Sequence, residues 1–194
     1  MVRPREFDRD EALDRATRVF WAKGYASTTT EDLLVAMNIG RQSLYNAFGD
    51  KRKLYLEALE RYQKESVAGH LERLSNNTSP LRGIESLLLG LIAEDDGIRA
   101  LGCMGVNAVS EFGAADTELA RLSGGVAPRL FKCLSERIRE GQACGELDPD
   151  IDAREAAAFL QMAMTGIQLG ARAGGDVKSL RAHVRFAIDR LKPR

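Results

Sequence analysis

The residues of this chain best equipped for chemistry lie between Gly40 and Tyr55, in the stretch GRQSLYNAFGDKRKLY. Arg41, Gln42 and Ser43 come first, followed by Tyr45 and Asn46. An arginine can bridge two acceptors on guanine, glutamine or asparagine can pair with both Hoogsteen-edge groups of adenine, and serine serves several base edges. A tyrosine hydroxyl can donate to a phosphate oxygen while its ring braces a neighbouring helix. Lys51, Arg52 and Lys53 then form a run of cations where the next helix should begin. Cations there oppose the helix dipole. A bound phosphate would satisfy the dipole, the free backbone N–H groups and the lysines together. The set has the chemistry of a nucleic-acid contact surface, and a merely solvated polar face is the alternative.

Little else in the chain suggests catalysis. The only histidines, His70 and His183, stand far apart, and no metal-spaced cluster, phosphate-cradling glycine loop or nucleophile–base set is present. No metal or cofactor is expected. Cys103, Cys133 and Cys144 are odd in number and lack paired spacing, which fits free thiols in a reducing compartment. Cys103 and Cys133 read as small apolar core residues, and Cys144 as the candidate exposed thiol. Because 28 basic residues balance 28 acidic ones, attraction to nucleic acid must be local. A nonspecific DNA-architectural protein would carry more positive charge. No apolar run approaches the ~20 residues of a membrane helix, and MVRPREFDRDEA contains no export-like segment. The expected location is the cytoplasm, with no membrane partner.

The elements that would position these residues are all helical. Apolar residues recur three and four apart almost throughout, which predicts an all-α chain of about nine helices. The first should run from Asp8 to Lys23, stopped by Gly24. The second should begin after Thr28 or Thr29, where TTTED offers two overlapping capping boxes, and end near Met37. Asn38, Ile39 and Gly40 make a three-residue break before a short third helix ending at Phe48. A long fourth helix is predicted over Lys51–Leu74, capped by Asp50. Further helices are expected at Leu81–Glu94, Cys103–Phe112, Asp116–Gly141, Asp152–Ala173 and Asp176–Leu191. Short second and third helices across a tight break have the dimensions of a helix-turn-helix. Leu44 and Phe48, four apart, should hold the third helix down and leave Arg41, Gln42, Ser43, Tyr45 and Asn46 outward. Arg3, Arg5 and Arg9 could form a basic arm on the DNA backbone, or a solvated tail.

Residues 8–54 resemble the DNA-binding domain of the TetR family of bacterial transcriptional regulators. The resemblance is carried by Phe20, by GYASTT from Gly24 to Thr29, by Leu33, Met37 and Ile39, by LYNAF from Leu44 to Phe48, and by Lys51. It implies a three-helix DNA-binding head over residues 1–50 and a larger helical body for ligand binding and dimerisation over residues 51–194. It further implies phosphate contacts from Tyr45 and Lys51, a second helix starting at Thr28 and Thr29, and a recognition helix opened by Arg41, Gln42 and Ser43. Asn38 and Gly40 depart from the usual glycine and serine of the pattern. Gly40 is a serviceable N-cap, but it loses a side-chain capping contact. Beyond residue 60 the similarity is one of helix order and of the segment GCMGVNAVSEF.

In the body, Asn107 and Glu111 lie one turn apart among small and apolar residues. With Tyr62, Cys103, Met104, Phe131, Met162 and Gln168 they could line an effector pocket. Alternatively, Asn107 bridges backbone and Glu111 is solvated. Phe159, Ala163, Gly166 and Gly170 recur at helical spacing, and glycine inside a helix costs about 1 kcal/mol unless something requires it. Together with Leu180, Val184, Ala187 and Leu191 they are expected to form a homodimer interface, although burial in the chain's own core would explain the same stripe. The whole implies a ligand-responsive repressor that binds a palindromic double-stranded DNA operator as a homodimer and is released by a small-molecule effector.

Overall fold

The structure is a computed structural model that describes residues 7–193, apart from four side chains between 114 and 126. Among the described residues it is entirely helical. The elements are α1 (Arg9–Lys23), α2 (Thr30–Met37), α3 (Arg41–Phe48), α4 (Lys51–Ser75), α5 (Pro80–Leu89), α6 (Asp96–Leu101), α7 (Met104–Phe112), a 3-10 turn (Gly113–Ala115), α8 (Thr117–Ala143), α9 (Ala153–Arg172) and α10 (Val177–Asp189). Nine of these helices correspond to those expected. The tenth, α6, is six residues long, too short to show a period, and is nucleated by the Asp95 carboxylate accepting from Ile98 N–H.

Local chemistry explains the punctuation. Gly24 ends α1 at φ 77°, a conformation that suits glycine. Thr29 and Asp32 form the reciprocal capping box of α2. Asn38, with φ 55°, closes α2 in the left-handed region that asparagine tolerates. Asp50 caps α4 by accepting from Lys53 N–H. α4 spans 25 residues, ~38 Å at 1.5 Å per residue, and runs through both of the molecule's cores.

Those cores do not divide at residue 50. The first gathers Ala16, Phe20, Leu33, Leu44 and Phe48 from α1–α3, and it is completed by Leu54, Tyr55 and Leu59 of α4, Met104 and Ala108 of α7, and Leu119 of α8. The second begins at Leu74, near the end of α4, and joins α5, α8, α9 and α10 through residues such as Leu87, Leu134, Leu160 and Val184. Aromatic rings tie the first core together. Phe20 meets Tyr55 edge-on with centroids 5.0 Å apart, and Phe112 packs on both Tyr25 and Tyr55.

Candidate nucleic-acid interface and effector cavity

α2, the Asn38–Gly40 turn and α3 form a helix-turn-helix unit whose second helix is anchored from below. Leu44 and Phe48 are buried, and the Arg9 guanidinium lies 4.5 Å from the centre of the Phe48 ring. Arg9 also donates to both oxygens of Glu57 and to the Ala47 carbonyl. It therefore clamps α3 to α1 and α4 and is not part of a loose arm. Arg3 and Arg5 lie outside the described residues. On the opposite side of α3, Arg41, Gln42, Tyr45 and Asn46 are exposed and Ser43 is half-buried. Gln42 Nε2 donates to Asn46 Oδ1 at 3.0 Å, and Arg41 lies 3.6 Å from Glu31. Both contacts are exposed and exchangeable, which leaves a polar face free to read base edges.

The surroundings of this face differ from expectation in two places. Thr28 is only 1% exposed, and its hydroxyl donates to the Gly24 carbonyl at 2.6 Å. It closes the α1–α2 loop from inside and cannot reach a phosphate. Thr29 is exposed and caps α2. Of the three cations, Arg52 points away from the face, pairing with Asp116 and lying 4.9 Å from the Phe112 ring centre. Lys51 sits with Nζ 4.2 Å over the Tyr25 ring, a placement that keeps its charge unneutralised while fixing its position. Lys53 is exposed. Lys51→Ala is expected to weaken binding to all DNA sequences alike and to lower the slope of log affinity against log salt by about 1. Filter binding or anisotropy at several salt concentrations measures it, and an unchanged slope would remove Lys51 from the phosphate contacts.

The body holds a cavity of about 540 Å³ between α4, α7, α8 and α9, a size that takes a drug-sized ligand. Val67, Val106, Leu130 and Met164 supply much of its lining. Four expected residues, Tyr62, Cys103, Met162 and Gln168, line it, and four do not. Met104 is buried in the first core, and Phe131 packs against the second core beneath Arg154. Asn107 turns the other way and donates from Nδ2 to the Leu101 carbonyl. Glu111 faces the head, where its carboxylate accepts from the backbone N–H groups of Tyr25 (3.0 Å) and Ala26 (2.5 Å). Spacing alone could not reveal a partner 86 residues away. Gly24 leaves room for this contact, since a Cβ there would stand 3.1 Å from Glu111 Oε2.

His70, on the cavity wall, is pushed down to about pKa 4 by burial first and by the nearby charge of Arg73 second. An unfolded chain binds that proton near pH 6.5. Stability from this group is thus intact above about pH 6.5 and is lost as pH falls toward 4. A His70→Gln chain should show a flatter decline of melting temperature between pH 7 and pH 4.5. Parallel declines would assign the acid sensitivity to other groups.

α9 presents three faces. Ala156, Leu160, Met164, Ile167 and Ala171 are buried, while Gln161, Thr165 and Gln168 face the cavity. A third face carries Phe159, 45% exposed, half-buried Ala163 and Gly170, and exposed Gly166. A Cβ at Gly170 would lie 3.2 Å from the Leu180 side chain, so α10 already uses that close approach, whereas at Gly166 nothing lies within 4 Å. On α10 the expected interface residues Leu180, Val184, Ala187 and Leu191, the last just past the helix end, are buried in the second core. They cannot face a partner. The stripe is apolar, as its period predicts, but its destination is the protomer itself, and Phe186 is the large apolar side chain that α10 exposes.

Among the described residues no helix is long and apolar enough to cross a membrane, and no group of three His, Cys, Asp or Glu side chains is placed to hold a metal. A helix-turn-helix head on a larger helical body is the architecture of a DNA-binding regulator. The chain belongs to the TetR family: residues 12–58 match the bacterial regulatory proteins, tetR family, and residues 89–187 match the tetracyclin repressor-like C-terminal domain. It is 32% identical to the uncharacterised HTH-type transcriptional regulator YezE of Bacillus subtilis over 98% of this chain and all of that one. It is 28% identical to the HTH-type transcriptional repressor ComR of Escherichia coli, over 92% of this chain and 86% of ComR. Among solved structures, a cysteine mutant of the TetR family regulator CifR in complex with 26-base-pair operator DNA superposes with a TM-score of 0.80 at 32% identity, covering 97% of this chain and 99% of that one. The protein is therefore a DNA-binding transcriptional regulator related to repressors.

Proposed function

We propose that the protein is a ligand-responsive repressor that binds a roughly palindromic operator as a homodimer and is released when a small molecule occupies the apolar cavity. One observation carries this reading: α7 serves both sites. Gly105, Val106 and Val109 form part of the cavity wall, and Glu111 in the same helix holds the backbone of the α1–α2 loop. Two further ties support the path. Trp21 Nε1 donates to the Gly102 carbonyl just before α7, and Arg52 pairs with Asp116, the N-cap of α8. A ligand that packs better against a shifted α7 favours the conformation in which the head is also shifted, and its differential affinity sets the size of the response. Repression is the reading favoured by the relatives named as repressors.

The dimer follows from what the head must do. One short recognition helix reads few base pairs, whereas a two-fold pair presents two at about 34–36 Å, one helical turn apart. The exposed third face of α9, with Phe159 and Gly166, is the surface proposed to pair.

Selection of bound fragments from random DNA, followed by a compound screen against the selected operator, tests the reading. The expected product is an inverted repeat, and substitution of Arg41 or Gln42 should change preference by ~1–3 kcal/mol at one base pair in each half. A single unrepeated half-site would remove the dimer, and a screen in which no compound alters operator affinity would remove induction.

A further inference from the structure

A second cavity, of about 530 Å³, lies beside the apolar one, between α1 of the head, α4, the segment that follows α5, and α6. The two adjoin, with Tyr62, Ser66, His70 and Gln168 in the lining of both. The chemistry differs between them, because four arginines, Arg18, Arg61, Arg73 and Arg99, line the second cavity against two carboxylates, Asp14 and Glu65.

Two of the four arginines are already engaged. Arg61 reaches Asp10 at 3.1 Å, Asp14 at 3.0 Å and Glu65 at 3.2 Å. Arg99 pairs with Asp96 and donates to the carbonyls of Ala93, Glu94 and Gly175. Among the described residues Arg18 and Arg73 have no carboxylate in ion-pair range. Arg73 instead lies against two glycines. A Cβ at Gly90 would stand 2.3 Å from its Nε, and one at Gly69 would stand 3.4 Å from an Nη. Gly90 has an ordinary right-handed φ of −65°, so the space its missing side chain leaves, and not a special backbone conformation, admits the guanidinium.

His70 supplies the third polar group. It is only 9% exposed, its Nε2 lies 3.3 Å from Ser66 Oγ, and its Nδ1 has no hydrogen-bond partner. With the Ser66 hydroxyl donating to Nε2, the proton of the neutral ring would sit on Nδ1, which is enclosed by protein. A buried polar atom left unpaired is costly and calls for an explanation.

From two uncompensated guanidinium groups and an unpartnered imidazole beside an apolar chamber, we propose that the effector is an amphipathic organic anion. Its apolar chain or ring occupies the α4–α7–α8–α9 cavity, and its carboxylate or phosphate head is held by Arg18 and Arg73, with His70 in the lining beside them. This rests on the reading of the apolar cavity as the effector site. Arginine suits the task because its planar fork binds either head group through paired hydrogen bonds. Bound there, the anion would bridge α1 of the head to α4 of the body and so bear directly on head position.

Trp21, the chain's single tryptophan, lines the second cavity and reports on it by fluorescence. Decanoate, decyl phosphate and decanol are to be titrated by Trp21 fluorescence and calorimetry, with thermal melts to verify folding of each variant. At least one anion is expected to bind tenfold or more tightly than decanol, and the stronger of the two identifies the head group. Arg73→Gln and Arg18→Gln should each bring anion affinity down at least fivefold toward that of decanol. Arg18 lies at the surface, so its variant keeps the test decisive if the Arg73 variant does not fold. Equal binding of all three probes overturns the anion site and leaves the apolar effector cavity standing. Binding by none of them to the wild-type protein overturns both.

Discussion

Gly166→Arg should convert the proposed dimer into a folded monomer and lower operator affinity by on the order of 10²–10⁴-fold, the advantage lost when two linked binding events become independent. The site combines two properties that seldom coincide. Within the protomer a Cβ at Gly166 would meet nothing within 4 Å among the described residues, and replacing a helical glycine by a good helix former gains a few tenths to about 1 kcal/mol. The protomer should therefore melt no lower than wild type. On the proposed two-fold face, the same side chain would stand where the partner's helix must approach, beside the apolar ring of Phe159. Sedimentation gives the mass, and operator titration gives the affinity. A Gly166→Arg protein that remains dimeric would move the interface off this face of α9.

Leu44→Ala acts on the head instead. Leu44 is 1% exposed and is, with Phe48, one of the two buried anchors of α3. Removing a buried leucine side chain down to alanine costs roughly 2–5 kcal/mol, the spread reflecting how far the site can collapse. A helix of eight residues has little intrinsic stability with which to resist. Operator binding should fall below detection well before the body unfolds. Denaturant unfolding followed by far-UV circular dichroism, alongside operator titration, separates the two effects. A stability loss under about 1 kcal/mol would show that α3 is held mainly by its neighbours.

How much of this could be read from sequence depended on the range of the interaction concerned. The Leu44–Phe48 anchor, the Thr29–Asp32 capping box and the stop at Gly24 are settled within four residues of chain, and each stands in the structure where spacing placed it. The outward face of α3 follows from the same periodicity. Thr28 illustrates the limit: two adjacent threonines offered equivalent caps, and only packing determined that one would turn inward to the Gly24 carbonyl. Glu111 and Arg52 were misread for a related reason. Each is charged and looked free, yet each has partners more than sixty residues away. On α10 the apolar period was legible while its destination was not, because burial against one's own core and burial against a partner leave the same pattern in the sequence. The apolar cavity was half visible: Tyr62, Cys103, Met162 and Gln168 were singled out, but the polar chamber beside it depends on α1, α4 and α6 meeting in space.

The continuation of the first core past residue 50 limits how this regulator can be rebuilt. Exchanging DNA specificity by grafting residues 1–50 onto a foreign body would separate Leu44 and Phe20 from Tyr55, Met104 and Ala108, with which they share one hydrophobic cluster. The graft would then carry an open apolar wound where α4 and α7 belong. A biosensor built from this chain should exchange only the outward residues of α3 and keep everything beneath them, so that new operator preference is written on a head still seated on its own α7.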